Sequence, residues 1–251
     1  MIKKILLILL FSSFVQAGTL EEHIEDLASD VYARASLDGV MDYALLKEGI
    51  EAYMTKGTGA NPNLVIIDYR RPSNEKRFYV VDLANKKLKY HTYTTHGIES
   101  GGATADRFSN TVNSKQTSLG VFKTAETYYG KYGYSLRLDG LSAGVNDNAR
   151  RRHIVIHGAK YASPDFLAAN NFIGWSWGCP ALPPEKNREI IDLIKGGSII
   201  LAANDEMVSQ ESSPSLLASN TFHEPVMNES IIDKTINSDL VQTDNRMVIS
   251  R

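Results

Sequence analysis

The sequence predicts a β-rich α+β fold, a β-domain with peripheral helices preceded by a helical hairpin. Three observations carry the prediction. Up to Gly57 apolar residues recur at helical spacing. From Asn63 the period shortens to that of strands, in short runs joined by polar connections. Near residue 184 a proline opens a last long helix, and a wholly apolar strand follows it.

Taken in order, residues 1–17 read as a secretory signal. Lys3 and Lys4 precede an unbroken apolar run, and Val15-Gln16-Ala17 precedes a cut at Gly18. The run falls short of the ~20 residues that a spanning helix needs. The expectation is an exported protein of the periplasm or cell envelope, with no stable membrane insertion once the signal is removed. A helical hairpin is expected over 18–60. Thr19 with Glu22 fits a capping box, and Leu20, Ile24, Leu27 and Val31 share one face. A second helix over 40–56 places Tyr43, Leu46, Ile50 and Tyr53 together and stops at Gly57.

The main domain is expected over 61–203. Strands are predicted at 64–69, 77–83, 88–95, 119–124, 134–138, 154–157 and 198–203. A long loop rich in Gly, Ser, Thr and Asn fills 97–120, and loops of that length are often functional. Residues 140–152 read as irregular. Ser163 with Pro164 starts a short helix to about residue 170, and a longer one covers 184–195. From 204 to 251 eight acidic residues stand against three basic ones, which predicts a mobile acidic tail.

Several classes of function find no support. The formal net charge is −2 and no basic block is present, so nucleic acid is not an expected partner. No cluster of His, Cys, Asp and Glu has metal-ligand spacing, and no glycine pattern of a nucleotide site follows a strand. Oligomeric state is not indicated.

What stands out is a single cysteine, Cys179, between Gly178 and Pro180, with a strand ending at His157-Gly158 upstream. A lone thiol in an exported protein is reactive, paired between molecules, or inert and buried. A thiol becomes a useful nucleophile when a base takes its proton, and imidazole is the usual base. His157 on its own also fits a satisfied core histidine, but Gly158 and the downstream Ser-x-Gly-Cys favour a base. In the strand, His153, Val155 and His157 are expected on one face, with Ile154 and Ile156 turned into the core. Ser176, Trp177, Gly178 and Gly158 are candidates for oxyanion binding or support. A carbonyl of the Gly158 loop is the expected orienting partner of His157. His96, ending a strand before Gly97, and Trp175 are candidate substrate contacts. Of Trp175 and Trp177, alternation leaves room for one in a pocket. His91, His153 and His223 carry no motif.

Ile156-His157-Gly158 together with Ser176-Trp177-Gly178-Cys179-Pro180-Ala181 resembles the L,D-transpeptidase catalytic domain of bacterial cell-wall enzymes, in its Pro-Ala branch. Thr95-His96-Gly97, Phe108-Ser109-Asn110, Ser118-Leu119-Gly120, Tyr134 to Leu138 and Gly144 to Arg150 agree with it, so that the resemblance covers about 64–203. Trp177 stands where the better-known branch has a second histidine, and Pro180 where a polar residue is usual. The resemblance implies a β-sandwich or barrel with the cysteine in a cleft, no cofactor, and peptidoglycan stem peptides as partners. It also implies attack of Cys179 on a tetrapeptide stem, release of D-alanine, and transfer of the acyl group to an amine. Acylation of Cys179 by carbapenems is implied as well. Hydrolysis at the same site, as a carboxypeptidase or endopeptidase, is the near alternative. A non-catalytic wall-binding protein is the distant one.

Overall fold

Helix α1 (Leu20–Arg34) begins where the capping box places it. The Thr19 hydroxyl accepts from the Glu22 N–H, and the Glu22 carboxylate accepts from the Thr19 N–H. Ser36 and Gly39 then take left-handed backbone angles, and helix α2 (Tyr43–Lys56) starts at the Asp42 cap, not near residue 40. The two helices bury Ile24, Ala28, Val31, Leu45, Leu46 and Ile50. The computed structural model describes residues 18–209. The expected signal at 1–17 and the acidic segment beyond 209 lie outside the described residues.

The β-rich α+β class holds. Among the described residues eight strands form one mixed sheet: β1 (Asn63–Asp68), β2 (Phe78–Asp82), β3 (Lys87–Thr92), β4 (Gly120–Gly130), β5 (Gly133–Gly140), β6 (Val155–Gly158), β7 (Ala181–Leu182) and β8 (Ile199–Ala203). Their order is β3-β2-β1-β8-β4-β5-β6-β7. The β1–β8 and β6–β7 pairs are parallel and the others antiparallel. Helices α3 (Pro164–Asn170), α4 (Pro184–Ile194) and α5 (Asp205–Ser209) are the remaining α-helices among the described residues.

Strands β1, β2 and β8 are buried at every position, with apolar interiors, because both faces are covered. Leu64, Ile66, Tyr79, Val81 and Leu201 pack under the helical hairpin. Val65, Ile67, Phe78, Val80, Leu136, Ile156 and Ile200 share a second cluster with Ile190, Ile191 and Ile194 of α4. The sheet is thus gripped by helices on one side and closes over α4 on the other.

Five elements depart from the sequence reading. Strands β4 and β5 run further than their apolar cores, because cross-strand rings and cations extend the hairpin. The Arg137 guanidinium lies 4.4 Å from the Tyr128 ring centroid, and Tyr129 and Tyr134 are 5.3 Å apart. Strand β3 ends early, and residues 95–96 instead bond to the segment around Cys179. Strand β7 was not expected; it exists through its parallel pairing with β6. Residues 205–209 are helical where a mobile tail was expected to begin, because Met207 and Val208 pack on the core.

Leu46 is fully buried between the hairpin and the sheet. Leu46→Ala is expected to lower the unfolding free energy by about 2–5 kcal/mol. Urea denaturation checks this, and a loss below about 1 kcal/mol would mean that the hairpin is only loosely attached.

Candidate active site

Cys179 sits at the end of a four-residue turn whose backbone is held from inside. The Ser176 hydroxyl accepts from the Gly178 N–H at 3.0 Å and donates to the Cys179 carbonyl at 2.7 Å. The Thr95 hydroxyl donates to the same carbonyl at 3.0 Å and accepts from the Ala181 N–H at 3.0 Å. The Ala181 N–H also lies 3.1 Å from the Cys179 carbonyl. Gly178 is required twice over. Its φ is +112°, and a Cβ there would fall 2.6 Å from the Gln116 carbonyl oxygen.

The histidine arrives from β6. His157 pairs in register with Ala181, two residues beyond Cys179, so the segment that leads from the thiol into β7 runs alongside β6. His157 is 2% exposed. Its Nδ1 lies 3.1 Å from the Gly158 carbonyl oxygen. A carbonyl only accepts, so Nδ1 carries the proton and Nε2 is left as the basic nitrogen. Burial pushes the imidazole pKa below its ordinary value, with the Gly158 bond opposing, which favours the neutral base. The Tyr132 ring from the β4–β5 turn stacks on the imidazole at 4.4 Å.

The thiol is half-buried and unpaired with any other sulfur. Its S–H points to the His153 carbonyl, 3.6 Å away, and not to the imidazole. Burial raises its pKa, while the Val155 N–H and the Arg152 charge pull it back down. His153 is not part of the strand. It takes a left-handed φ of +55°, the turn by which the chain enters β6 with its carbonyl toward the sulfur.

The other sequence candidates separate. Ser176 holds the turn as described. The Gly178 N–H is spent on Ser176, so it is not free for an oxyanion. The amides of Trp177 and Cys179 have no hydrogen-bond partner among the described residues. Gly158 orients His157 and leaves room for α4, since a Cβ there would lie 3.2 Å from Asn187 Cβ. His96 and Trp175 differ from the expected substrate contacts. His96 is fully buried; its Nδ1 accepts from Arg77 at 2.8 Å and its Nε2 donates to Gly102. Burial and the Arg77 charge hold its pKa down to about 4. Trp175 also donates to the Gly102 carbonyl, at 3.0 Å, and packs on Phe172. Both therefore brace the Gly101–Gly102 turn. Trp177 is the indole that faces solvent, 73% exposed, with the Lys115 ammonium 5.1 Å from its ring.

Two residues at the site, Tyr132 and Arg152, had no place in the sequence reading, and Thr95 stood in a family motif without an assigned role. The roles of Thr95 and Arg152 had no local signal, because their partners lie far along the chain. Tyr132 had one, since Gly130 and Gly133 bracket a two-residue hairpin turn.

Residues 38–202 match the family model of the L,D-transpeptidase catalytic domain. Among solved structures, an L,D-transpeptidase from Mycobacterium smegmatis is similar at 14% identity over 57% of this chain and 58% of that one, with a TM-score of 0.35. L,D-transpeptidase 1 of Mycobacterium tuberculosis is similar at 14% identity over 57% of this chain and 62% of that one, with a TM-score of 0.33. A mutant of the helical cell shape determining protein Pgp2 from Campylobacter jejuni aligns at 11% identity over 90% of this chain and 64% of that one, with a TM-score of 0.38. In each case the alignment spans less than two thirds of the other protein's chain. No curated protein matches the chain significantly.

Two outcomes follow from this geometry. Gly178→Ala is expected to displace the turn and cost about 1–3 kcal/mol of stability, slowing alkylation of Cys179 by iodoacetamide; an unchanged rate would refute the role assigned to the turn. His96 binds its proton more weakly folded than unfolded, so stability is full above its unfolded pKa of about 6.5. It should fall as pH drops from there toward about 4. The His96 share of that loss is on the order of 3 kcal/mol. Thermal melts across this range should flatten in His96→Gln.

Proposed function

The chain belongs to the family of L,D-transpeptidase catalytic domains, and from that premise we propose that it is an exported cysteine acyltransferase acting on peptidoglycan stem peptides. The observation that carries the reading is that the family match includes both Cys179 and His157, on segments that adjoin in the β6–β7 pair. Nε2 of His157 takes the proton of the Cys179 thiol as the sulfur attacks the carbonyl carbon before the terminal D-alanine of a tetrapeptide stem. The amides of Trp177 and Cys179 are the donors for the oxyanion. Collapse breaks the C–N bond, and the imidazolium returns its proton to the departing amine. The product is a thioester on Cys179 and free D-alanine.

The amine of a second stem then attacks the thioester carbonyl, giving its proton to His157, and the sulfur leaves. A thioester keeps the acyl group activated, so the second amide forms without a nucleotide outside the cytoplasm. No cofactor takes part in this scheme. Trp177, with Lys115 over its ring, is the rim contact for the substrate. Exposed indoles of this kind are frequent anchors of binding energy.

Incubation with disaccharide-tetrapeptide, read by mass spectrometry, tests the proposal. The expected products are D-alanine and a cross-linked dimer. D-alanine without dimer would mean a carboxypeptidase, and no reaction would refute the enzyme. Cys179→Ser should abolish turnover, and His157→Gln should lower it by about 10²–10⁴-fold. Activity should fall on acidification with a midpoint below the ordinary imidazole value, because protonated His157 cannot act as base.

A further inference from the structure

We propose that Arg152 is a positioning residue of this site, whose guanidinium clamps the 109–118 loop under the Cys179 turn and stabilises the negative charge that develops on the sulfur as it gives up its proton. The inference rests on Cys179 as the attacking group. Three arginines stand in a row before β6 and have different fates. Arg150 is paired with the carboxylates of Glu126 and Asp139. Arg151 donates to the Asn148 side chain. Arg152 turns inward and meets only neutral oxygens. Nη1 donates to the Ser109 carbonyl and the Ser118 hydroxyl, and Nη2 to the Ser114 hydroxyl and the Gln116 carbonyl. It makes no ion pair with a carboxylate among the described residues.

These bonds tie the loop to the nucleophile's turn from below. The Gln116 carbonyl bonded by Nη2 is the atom that a Cβ on Gly178 would strike, and Nη2 itself lies 3.3 Å from that Cβ position. The residue after Gly178 is Cys179. The chain reverses at His153, directly after Arg152, and the His153 carbonyl receives the S–H. The neutral partners leave the Arg152 charge uncancelled, so it acts on whatever negative charge forms nearby. In the proposed reaction that charge forms on the sulfur as its proton leaves.

The other titratable groups around the sulfur do not supply such a charge. Tyr69, beyond β1, and Tyr161, before α3, both feel the sulfur's charge, and burial pushes both phenols up to about 12, so they stay neutral. His157 on β6 is the neutral base. His153 is exposed and lends its backbone carbonyl. Arg152 and Cys179 act on each other, with the arginine favouring the ionised sulfur.

Cys179 is the single cysteine, so the rate of iodoacetamide alkylation against pH reports its ionisation directly. Arg152→Gln is expected to move the alkylation midpoint up by about one pH unit, slowing the reaction about tenfold near neutrality. Arg152→Lys keeps the charge and should keep the midpoint while melting earlier. The double variant Ser114→Ala/Ser118→Ala loosens the clamp without removing charge and should leave the midpoint in place. A folded Arg152→Gln protein with the wild-type midpoint overturns the proposal. If Arg152→Gln does not fold, the lysine variant decides: an unmoved midpoint supports the charge, and a rise of about one unit refutes it. No peptidoglycan enters this assay, so a wild-type protein that alkylates normally but fails to turn over stem peptide sinks the proposed function and not this inference.

Discussion

The arrangement depends on one carbonyl oxygen, that of Cys179. It receives hydrogen bonds from the Ser176 hydroxyl, the Thr95 hydroxyl and the Ala181 amide. Each such bond contributes about 0.5–1.5 kcal/mol net. Their joint effect is geometric, because the distant Thr95 segment and both flanks of the turn converge on the peptide that carries the thiol. The turn cannot rotate without breaking all three, and Gly178 lets it pass close under the Gln116 carbonyl. A thiol held in this way has little further freedom to lose if a substrate is to meet it.

That turn has to stand on something rigid. Strands β1 and β8 are buried on both faces, one toward the α1–α2 hairpin and one toward α4, so the middle of the sheet has little room to move. The site lies at the far edge, where the short parallel β6–β7 pair sits beside α4. Helix α4 approaches β6 closely because Gly158 has no side chain. The same glycine offers its carbonyl to His157. One residue thus serves both packing and the choice of tautomer.

Electrostatically, the two arginines that flank the site make their hydrogen bonds to neutral groups. Arg77 is fully buried and donates to the Thr94 and Arg71 carbonyls and to His96. Its neighbour His96 is kept neutral, which avoids two adjacent buried charges. Arg152 is half-buried among neutral oxygens on the other side of the turn. The backbone of 94–96 and 176–179 therefore lies between two guanidinium groups whose hydrogen-bond partners are neutral. Such a frame favours negative charge where the proposed acyl transfer would create it, on sulfur and then on an oxyanion.

Sequence by itself determined the elements whose signals are local. The capping box at Thr19, the Ser163-Pro164 start of α3 and the run of alternating strands from Asn63 depend on neighbours within a few positions, where periodicity and caps act. That the segments of His157 and Cys179 belong together was legible because both stand beside glycines in a joint motif, and β6 and β7 do adjoin. Only the tertiary structure decided the rest. Strand β7 exists through β6, and α5 through its contact with the core. His96 and Trp175 proved to be braces because Arg77 and Gly102 reach them from distant segments, while Trp177 was left facing solvent. Arg152 was one of three like residues in a row, and periodicity could not say which turns inward. Its partners lie 34–43 positions away. Long-range hydrogen bonds of this kind leave no trace in local composition, because only the closing of the chain brings donor and acceptor together.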